Sequence, residues 1–386
     1  EGRAQNYLEP EHLEKIVSAY RAFEEVPGFA RRVSRSELAE NDDNLNIRRY
    51  VDTTPPPEPQ DVRAHLHGGI PKSEVSAKAN LFAAHGLMSE HLLAPRSDDY
   101  LQFADVVTER RDLRRLIEAD AGVVAAESAV LDAIGVWWEE QEARVDKLEE
   151  PGDLVDLRKE LIETFREALA STPLLDPFAI RGIVASWWGE SLPDLKTLAT
   201  HGYRGLIEAW VATVLDALAE EKAKVNPLDH KVARALLPEY LDRLATLEAE
   251  VAELDRTIKA DTVSDDEEES DEPAEEALSP AELKKLKSKL TATKKQRKVE
   301  KASFADHLAA ASTALDDTSA RLIVLDALQH DLLAEATDRI TRHRRAAIAA
   351  FETWWDKYRT PLSTLEAERD AVTTTLAGML KELGYE

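Results

Sequence analysis

Apolar residues recur at helical spacing through most of this chain. Over residues 8–25, Leu13, Ile16, Val17, Tyr20 and Phe23 form one stripe, which predicts an amphipathic helix. Glu9-Pro10-Glu11 suits its start, with proline in the first turn and carboxylates near the positive end of the dipole; Pro27-Gly28 stops it. Phe29 to Val33 predicts a short strand, and Ser34 or Ser36 caps a brief helical turn through Glu40. Leu45, Ile47, Tyr50 and Val51 predict another short strand or extended segment. The run 53–60 holds Pro55, Pro56, Pro57 and Pro59, which excludes helix and central strand and predicts a polyproline-type spacer.

Beyond the spacer the helical period dominates. Asp61 to His67 reads as a helix ended by Gly68-Gly69, and Pro71 opens a segment with Val75, Leu81 and Phe82. From Tyr100 to about Ala170 the pattern is helical, with Leu113, Leu116, Ile117, Val130, Ile134 and Trp137, and Pro151-Gly152 divides it. Asp176-Pro177 supplies an N-cap and first-turn proline, and Gly189 and Pro193 mark the far end; Trp187, Trp188 and Trp210 together offer a large aromatic area. Leu244, Val251 and Ile258 occupy one heptad column and Leu247 and Leu254 another, the a/d pattern of a coiled-coil seam. The acidic run Asp265 to Glu276 lacks large apolar residues and predicts a solvated, mobile tip. Ser279-Pro280 then starts a second helix with Leu283, Leu286 and Leu290 on its apolar face, so the two helices predict an antiparallel hairpin. Leu308 to Leu383 is helix again, broken at Pro361 after Trp354-Trp355. The three Trp-Trp pairs are irregularly spaced with unlike flanks, which argues against a repeat architecture.

The expected fold is mainly α: a small mixed N-terminal remnant at 1–52, a Pro-rich linker at 53–60, a helical domain with a Trp-rich core at 61–236, a protruding antiparallel coiled-coil hairpin at 237–305 with a disordered acidic tip at 261–278, and C-terminal helices at 306–386. The 386 residues exceed one ordinary core. A net charge of −26 argues against a nucleic-acid surface spread over the whole chain, so any such contact must be local. The absence of cysteine excludes disulfides, thiolate metal sites and cysteine nucleophiles, and fits a cytoplasmic setting. No uninterrupted apolar run approaches the roughly 20 residues that span a bilayer, which predicts no membrane partner. The chain opens on Glu1 inside what reads as a motif, so it is expected to be a piece of a longer polypeptide.

The opening G-R-A-Q-N-Y-L with I-V-S-A-Y, then G-F-A-R-R-V-S, then E-N-D-D-N-L-N-I-R-R-Y-V resembles the segment that closes the catalytic domain of type I restriction–modification N6-adenine DNA methyltransferase subunits. The likeness covers about the first 52 residues. L-L-D-P-F near Asp176, S-W-W-G-E, and F-E-T-W-W-D-K-Y near Trp354 resemble the helical C-terminal extensions of some members more loosely. Arg48 departs from the proline that members often carry before Arg49-Tyr50. The resemblance implies methyl transfer from S-adenosylmethionine to the adenine amine in the full-length protein, with a specificity subunit that reads DNA and in some systems a restriction subunit. It also implies a glycine-rich cofactor turn and an Asn/Asp-Pro-Pro-Phe/Tyr loop. Neither is found: Asn226-Pro227-Leu228 lacks the second proline and the aromatic. No catalytic, cofactor-binding or metal residue is therefore expected in this chain, and the methylating machinery is expected upstream.

Within the likeness, Asn44, Asn46, Arg49 and Tyr50 are candidates to touch DNA or the specificity subunit; the alternative is that the Asn side chains bond turn backbone and Tyr50 packs. Lys284, Lys285, Lys294, Lys295, Arg297 and Lys298 cluster on one helix and are candidates for phosphate contact, or else form a solvated face balanced by the acidic tip. His65 and His67 lack the convergent carboxylate or thiolate of a metal site and read as surface loop. Glu190, Asp194 and Lys196 read as helix-end caps rather than an active site. A helical scaffold with a vestigial methylase-like N-terminus is the competing reading.

Overall fold

Pro10 takes the first turn of α1 (Pro10–Ala22), and the Glu9 amide donates to His12 Nδ1 at 3.0 Å. The helix ends where Phe23 turns left-handed, with φ 53°. This structure, a computed structural model, describes residues 8–52, 54, 57–148, 150–219, 226–264 and 279–385, without the side chains of 260–264. Residues 2–6, Pro55, Pro56 and the acidic run 265–276 lie outside the described residues.

The chain is mainly α, as its periodicity predicts. Two compact units emerge, each assembled from separated stretches: Glu1–Lys147, Val155–Ser191 and Gln329–Glu386 form the first, and Leu148–Leu154 and Leu192–Leu328 the second.

In the first unit, the strand expected at 29–33 reduces to one bridge between Val26 and Ala30. The extended segment expected at 45–51 is instead a 3-10 turn, Ile47–Arg49. Asn46 decides this, because its side chain accepts the Arg48 amide and so starts the turn. Between them lies α2 (Arg35–Glu40), capped by Ser34, whose hydroxyl accepts the Glu37 amide at 3.2 Å.

After the proline run come α3 (Val62–His67), β1 (Ile70–Pro71), α4 (Lys72–Ala77), α5 (Ala79–Ala84), β2 (Leu93–Pro95), β3 (Tyr100–Phe103) and α6 (Arg110–Glu118). The strands form an antiparallel sheet in the order β1-β3-β2, with Ile70 opposite Leu101 and Leu93 opposite Phe103. The sequence reading missed this sheet and extended helix over Tyr100 to Phe103. Strands of two to four residues are too short to display a period of 2.

Residues 329–358 of α13 (Asp317–Tyr358) supply the other half of this core. Ile348, Phe351, Trp354 and Tyr358 are buried with Ile70, Phe82, Leu113 and Ile117. Phe82 stacks tilted on Phe351, with ring centroids 4.9 Å apart. Glu74, 6 % exposed, binds three groups of α13: Tyr358 Oη donates to it at 2.6 Å, Lys357 Nζ at 3.0 Å and Trp354 Nε1 at 3.1 Å. These three bonds satisfy the buried carboxylate and lock α4 to α13.

α7 (Ala121–Val145) and α8 (Leu154–Ala168) pack with the first part of α9 (Pro177–Ala219) through tryptophan edges. Trp138 meets Trp187 at 5.7 Å, and Trp137 meets Phe165 at 4.9 Å. α7 is long and apolar enough to cross a membrane. In this structure it joins the packing of the first unit, burying both tryptophans and pairing its Glu127 with Arg344 at 2.6 Å. α9 runs through Gly189 and Pro193 and departs from helical geometry at Gly202. The helix end expected at Pro193 is thus corrected. α14 (Leu362–Glu382) closes the chain and packs along α3.

In the second unit, Trp210 donates to Asp194 at 2.8 Å and Lys231 pairs with the same carboxylate at 2.6 Å, which ties α9 to α10 (Lys231–Leu236). Trp210 therefore belongs to a different unit from Trp187 and Trp188. α11 (Pro238–Ser264) and α12 (Pro280–Ala314) pair antiparallel, as expected from their heptads. Tyr240, Leu244, Val251 and Leu254 are buried on α11, and Thr293, Phe304 and Leu308 on α12. Ser279 caps α12 in a capping box with Glu282, whose carboxylate these bonds hold below its ordinary pKa.

Candidate partner and nucleic-acid interface

α1 does not sit as its stripe suggests. Leu13, Ile16 and Val17 are 48, 44 and 39 % exposed, and Tyr20 and Phe23 are 83 and 69 % exposed. The polar face docks instead. Glu11 and Glu9 pair with buried Arg339 of α13, Glu14 pairs with Arg158 of α8 at 2.7 Å, and Ser18 accepts from Arg181 of α9 at 3.0 Å. Lys15 lies 5.4 Å from the Phe178 ring centroid. Gly182 makes the approach close: a Cβ there would stand 2.7 Å from Glu11 Cβ. The segment that carries the family likeness is thus keyed to the helices around it by charge, and its apolar stripe stays open together with Leu45 and Ile47, 77 and 68 % exposed.

The turn after α2 gathers Asn44, Asn46, Arg49 and Tyr50. Asn44 Oδ1 accepts the Asn46 amide at 2.9 Å, Asn46 Oδ1 accepts the Arg48 amide at 3.1 Å, and Tyr50 Oη donates to the Asn44 carbonyl at 2.5 Å. Asp42 and Asp43, with φ of 56° and 53°, reverse the chain just before it. Three of the four side chains therefore hold the turn. Arg49 is exposed and meets no partner among the described residues.

The six basic candidates on α12 fall in the second unit and divide by heptad position. Lys294 reaches across to Asp255 at 3.0 Å, just as Lys289 reaches Glu250 at 2.7 Å and Lys301 reaches Glu248 at 2.6 Å. These are the flanking e and g positions, which face each other in an antiparallel pair. Arg297 lies half-buried in the seam. Lys284, Lys285, Lys295 and Lys298 sit at b, c and f, exposed on the outer face. The acids that neutralise the inner lysines come from α11; the acidic tip lies outside the described residues.

Among the described residues, neither the Gly68-Gly69 pair nor the Asn226-Pro227 segment has the form that S-adenosylmethionine or an adenine amine requires. The Gly68-Gly69 pair precedes β1 rather than following a strand, and Arg96 and Tyr100 atoms stand 3.0 and 3.1 Å from where its Cβ atoms would lie. Asn226 spends its side chain on the Leu228 amide at 3.3 Å, capping a 3-10 turn. Among the described residues no cluster of three or more His, Asp or Glu gathers as for a metal.

A buried polar group escaped the sequence reading. His85, wholly buried, lies 2.7 Å from His343 by its Nε2 and 3.8 Å from Glu127 by its Nδ1. Burial, helped by the charges of His343 and Arg344, lowers its pKa to about 4. No spacing linked residues 85, 127 and 343.

The sequence family N-6 DNA Methylase matches residues 1–58, the stretch that contains α1, α2 and the Asn44–Tyr50 turn. Two curated relatives come from Methanocaldococcus jannaschii. The Type I restriction enzyme MjaVII methylase subunit is 39 % identical over 66 residues, 17 % of this chain and 11 % of the relative. The Type I restriction enzyme MjaVIII methylase subunit is 42 % identical over 57 residues, 15 % of this chain and 10 % of the relative. Through this N-terminal stretch the protein is related to type I restriction–modification methyltransferases. The match spans about a tenth of the length of these relatives. No solved structure matches the chain.

Proposed function

We propose that this chain is the C-terminal region of a type I restriction–modification adenine-N6 methyltransferase subunit, which joins the specificity subunit and helps close the assembly around DNA. The observation that carries this is the methylase match over residues 1–58. In support, the matched segment is keyed by ion pairs to α8 and α13 and by a hydrogen bond to α9, so a methylase body would be held firmly to the helices that follow. The open apolar stripe of α1 is the surface this reading assigns to that body. S-adenosylmethionine and the reacting adenine would be bound there, outside this chain, in a cytoplasmic enzyme. Where the system includes a restriction subunit, it would join the same complex.

The coiled-coil hairpin of α11 and α12 supplies the DNA contact in this reading. Its outer lysines, Lys284, Lys285, Lys295 and Lys298, would meet phosphates and add affinity without base specificity, while Lys294 and Arg297 serve the hairpin itself. Arg49 is the side chain of the N-terminal turn left for a partner or DNA. The test is methyl transfer to adenine by the full-length protein with its specificity subunit. Transfer that requires both supports the reading. An inactive full-length protein that still binds its partner would favour the scaffold.

A further inference from the structure

Every residue from 362 to 385 is exposed, although α14 is not a polar helix and short α3 lies beside it. Leu362, Leu365, Val372, Leu376, Met379 and Leu383 occupy the a and d positions of a heptad, with Leu380 beside them, and they are 41 to 72 % exposed. Glu366, Glu368 and Glu382 flank this stripe at e and g, and Arg369 takes the remaining a position, where it folds back on Asp370 at 2.7 Å. α11 shows how this protein completes such a helix. Its seam is flanked by Glu248, Glu250 and Asp255, and each meets a lysine of α12. α14 has the same acidic-flanked seam without a basic helix among the described residues.

We propose that α14 is a docking helix for an amphipathic helix of a second protein, one whose apolar stripe is flanked by lysine or arginine and interrupted by a carboxylate opposite Arg369. Charge selects this occupant over a second copy of the chain. In a parallel pair of copies Arg369 meets Arg369 inside the seam. In a fully overlapped antiparallel pair Glu368 faces Glu382 twice, and like charges there oppose pairing. The proposal deepens the assembly reading above and takes from it only that a second protein is present.

The test uses the 386-residue chain and two synthetic peptides of about four heptads with identical apolar seams. One carries lysine at e and g with a glutamate placed against Arg369; the other carries glutamate at e and g. Anisotropy titration should show saturable binding of the basic peptide and at least tenfold weaker binding of the acidic one. Val372→Glu with Leu376→Glu should abolish binding and leave the melting curve unchanged, because both residues are exposed in the free chain. Replacing Glu366, Glu368 and Glu382 by Lys should reverse the peptide preference. Equal binding of both peptides, or of neither, overturns the proposal. So does a dimer in sedimentation that the Val372→Glu/Leu376→Glu variant dissolves, which would make the occupant a second copy. None of these readouts involves methyl transfer, so failure here leaves the methylase reading standing, and the reverse.

Discussion

Gly182→Ala sets two effects of opposite sign against each other at the seat of α1. Alanine in a helix interior is favoured over glycine by about 1 kcal/mol, so α9 by itself gains. The new Cβ, however, lands 2.7 Å from Glu11 Cβ, 2.8 Å from its Cγ and 3.1 Å from its Cα. Rotating the Glu11 side chain cannot clear its own Cβ and Cα, so the backbone of α1 has to retreat. Overpacking of this kind costs about 1–3 kcal/mol. The retreat also loosens the Glu11–Arg339 pair and the Glu14–Arg158 pair, the latter closed at 2.7 Å. The net expectation is that α1 docking weakens by roughly 1–2 kcal/mol while α9 holds or improves. Amide exchange resolves the two. Residues 10–22 should lose about tenfold in protection, one decade per 1.4 kcal/mol, with residues 177–191 unchanged or slower. In a Glu11→Gly background, which removes the opposing Cβ and Cγ and leaves only the 3.1 Å approach to the Cα, the same substitution should cost much less. If α1 keeps its protection and the melting temperature rises, the close approach does not hold α1 and its keying to α9 is wrong.

Other perturbations probe the rest. Gly122→Ala should lower the melting temperature of the first unit sharply, since its Cβ would fall 2.1 Å from the Gly86 carbonyl oxygen and Gly86, at φ +65°, cannot readily yield; a cost under about 1 kcal/mol by urea unfolding would refute that close approach. His85 is held neutral with a pKa near 4, below its ordinary 6.5. The unfolded chain therefore takes up a proton first. Stability is complete above pH 6.5 and declines as pH falls from 6.5 to 4, by up to about 3 kcal/mol, and His85→Gln should flatten that slope in urea titrations. Changing Lys284, Lys285, Lys295 and Lys298 to Glu should weaken DNA binding by the assembled complex and shallow its salt dependence by about 0.9 for each phosphate no longer neutralised, whereas changing Lys289, Lys294 and Lys301 should instead loosen the α11–α12 pair; identical effects of the two sets would remove the outer face from DNA. Calorimetry with S-adenosylmethionine should show no binding to this chain alone, and micromolar binding would mean it holds a cofactor pocket of its own.

Much was legible in the sequence because it is local. Caps at Ser34 and Ser279, the start of α1 at Pro10 and the antiparallel pairing of α11 with α12 follow from neighbours a few residues apart, and their heptads set which lysines face Glu248, Glu250 and Asp255. The family likeness is equally a property of order along the chain. Local chemistry likewise bonds Asn44, Asn46 and Tyr50 within their own turn.

Tertiary structure decided which faces close. The stripe of α1 is a true helix period, yet its charged side is the one that docks, because Arg158, Arg181 and Arg339 arrive from elements 144 to 330 residues away and pair more specifically than an apolar contact can. Only folding could bring residues 329–358 against β1 and α4, since no periodicity encodes which distant helix fills a core. The same holds for α14: its heptads are plain in the sequence, but that its stripe stays open among the described residues is a fact about packing, and packing depends on the whole set of surfaces competing for contact.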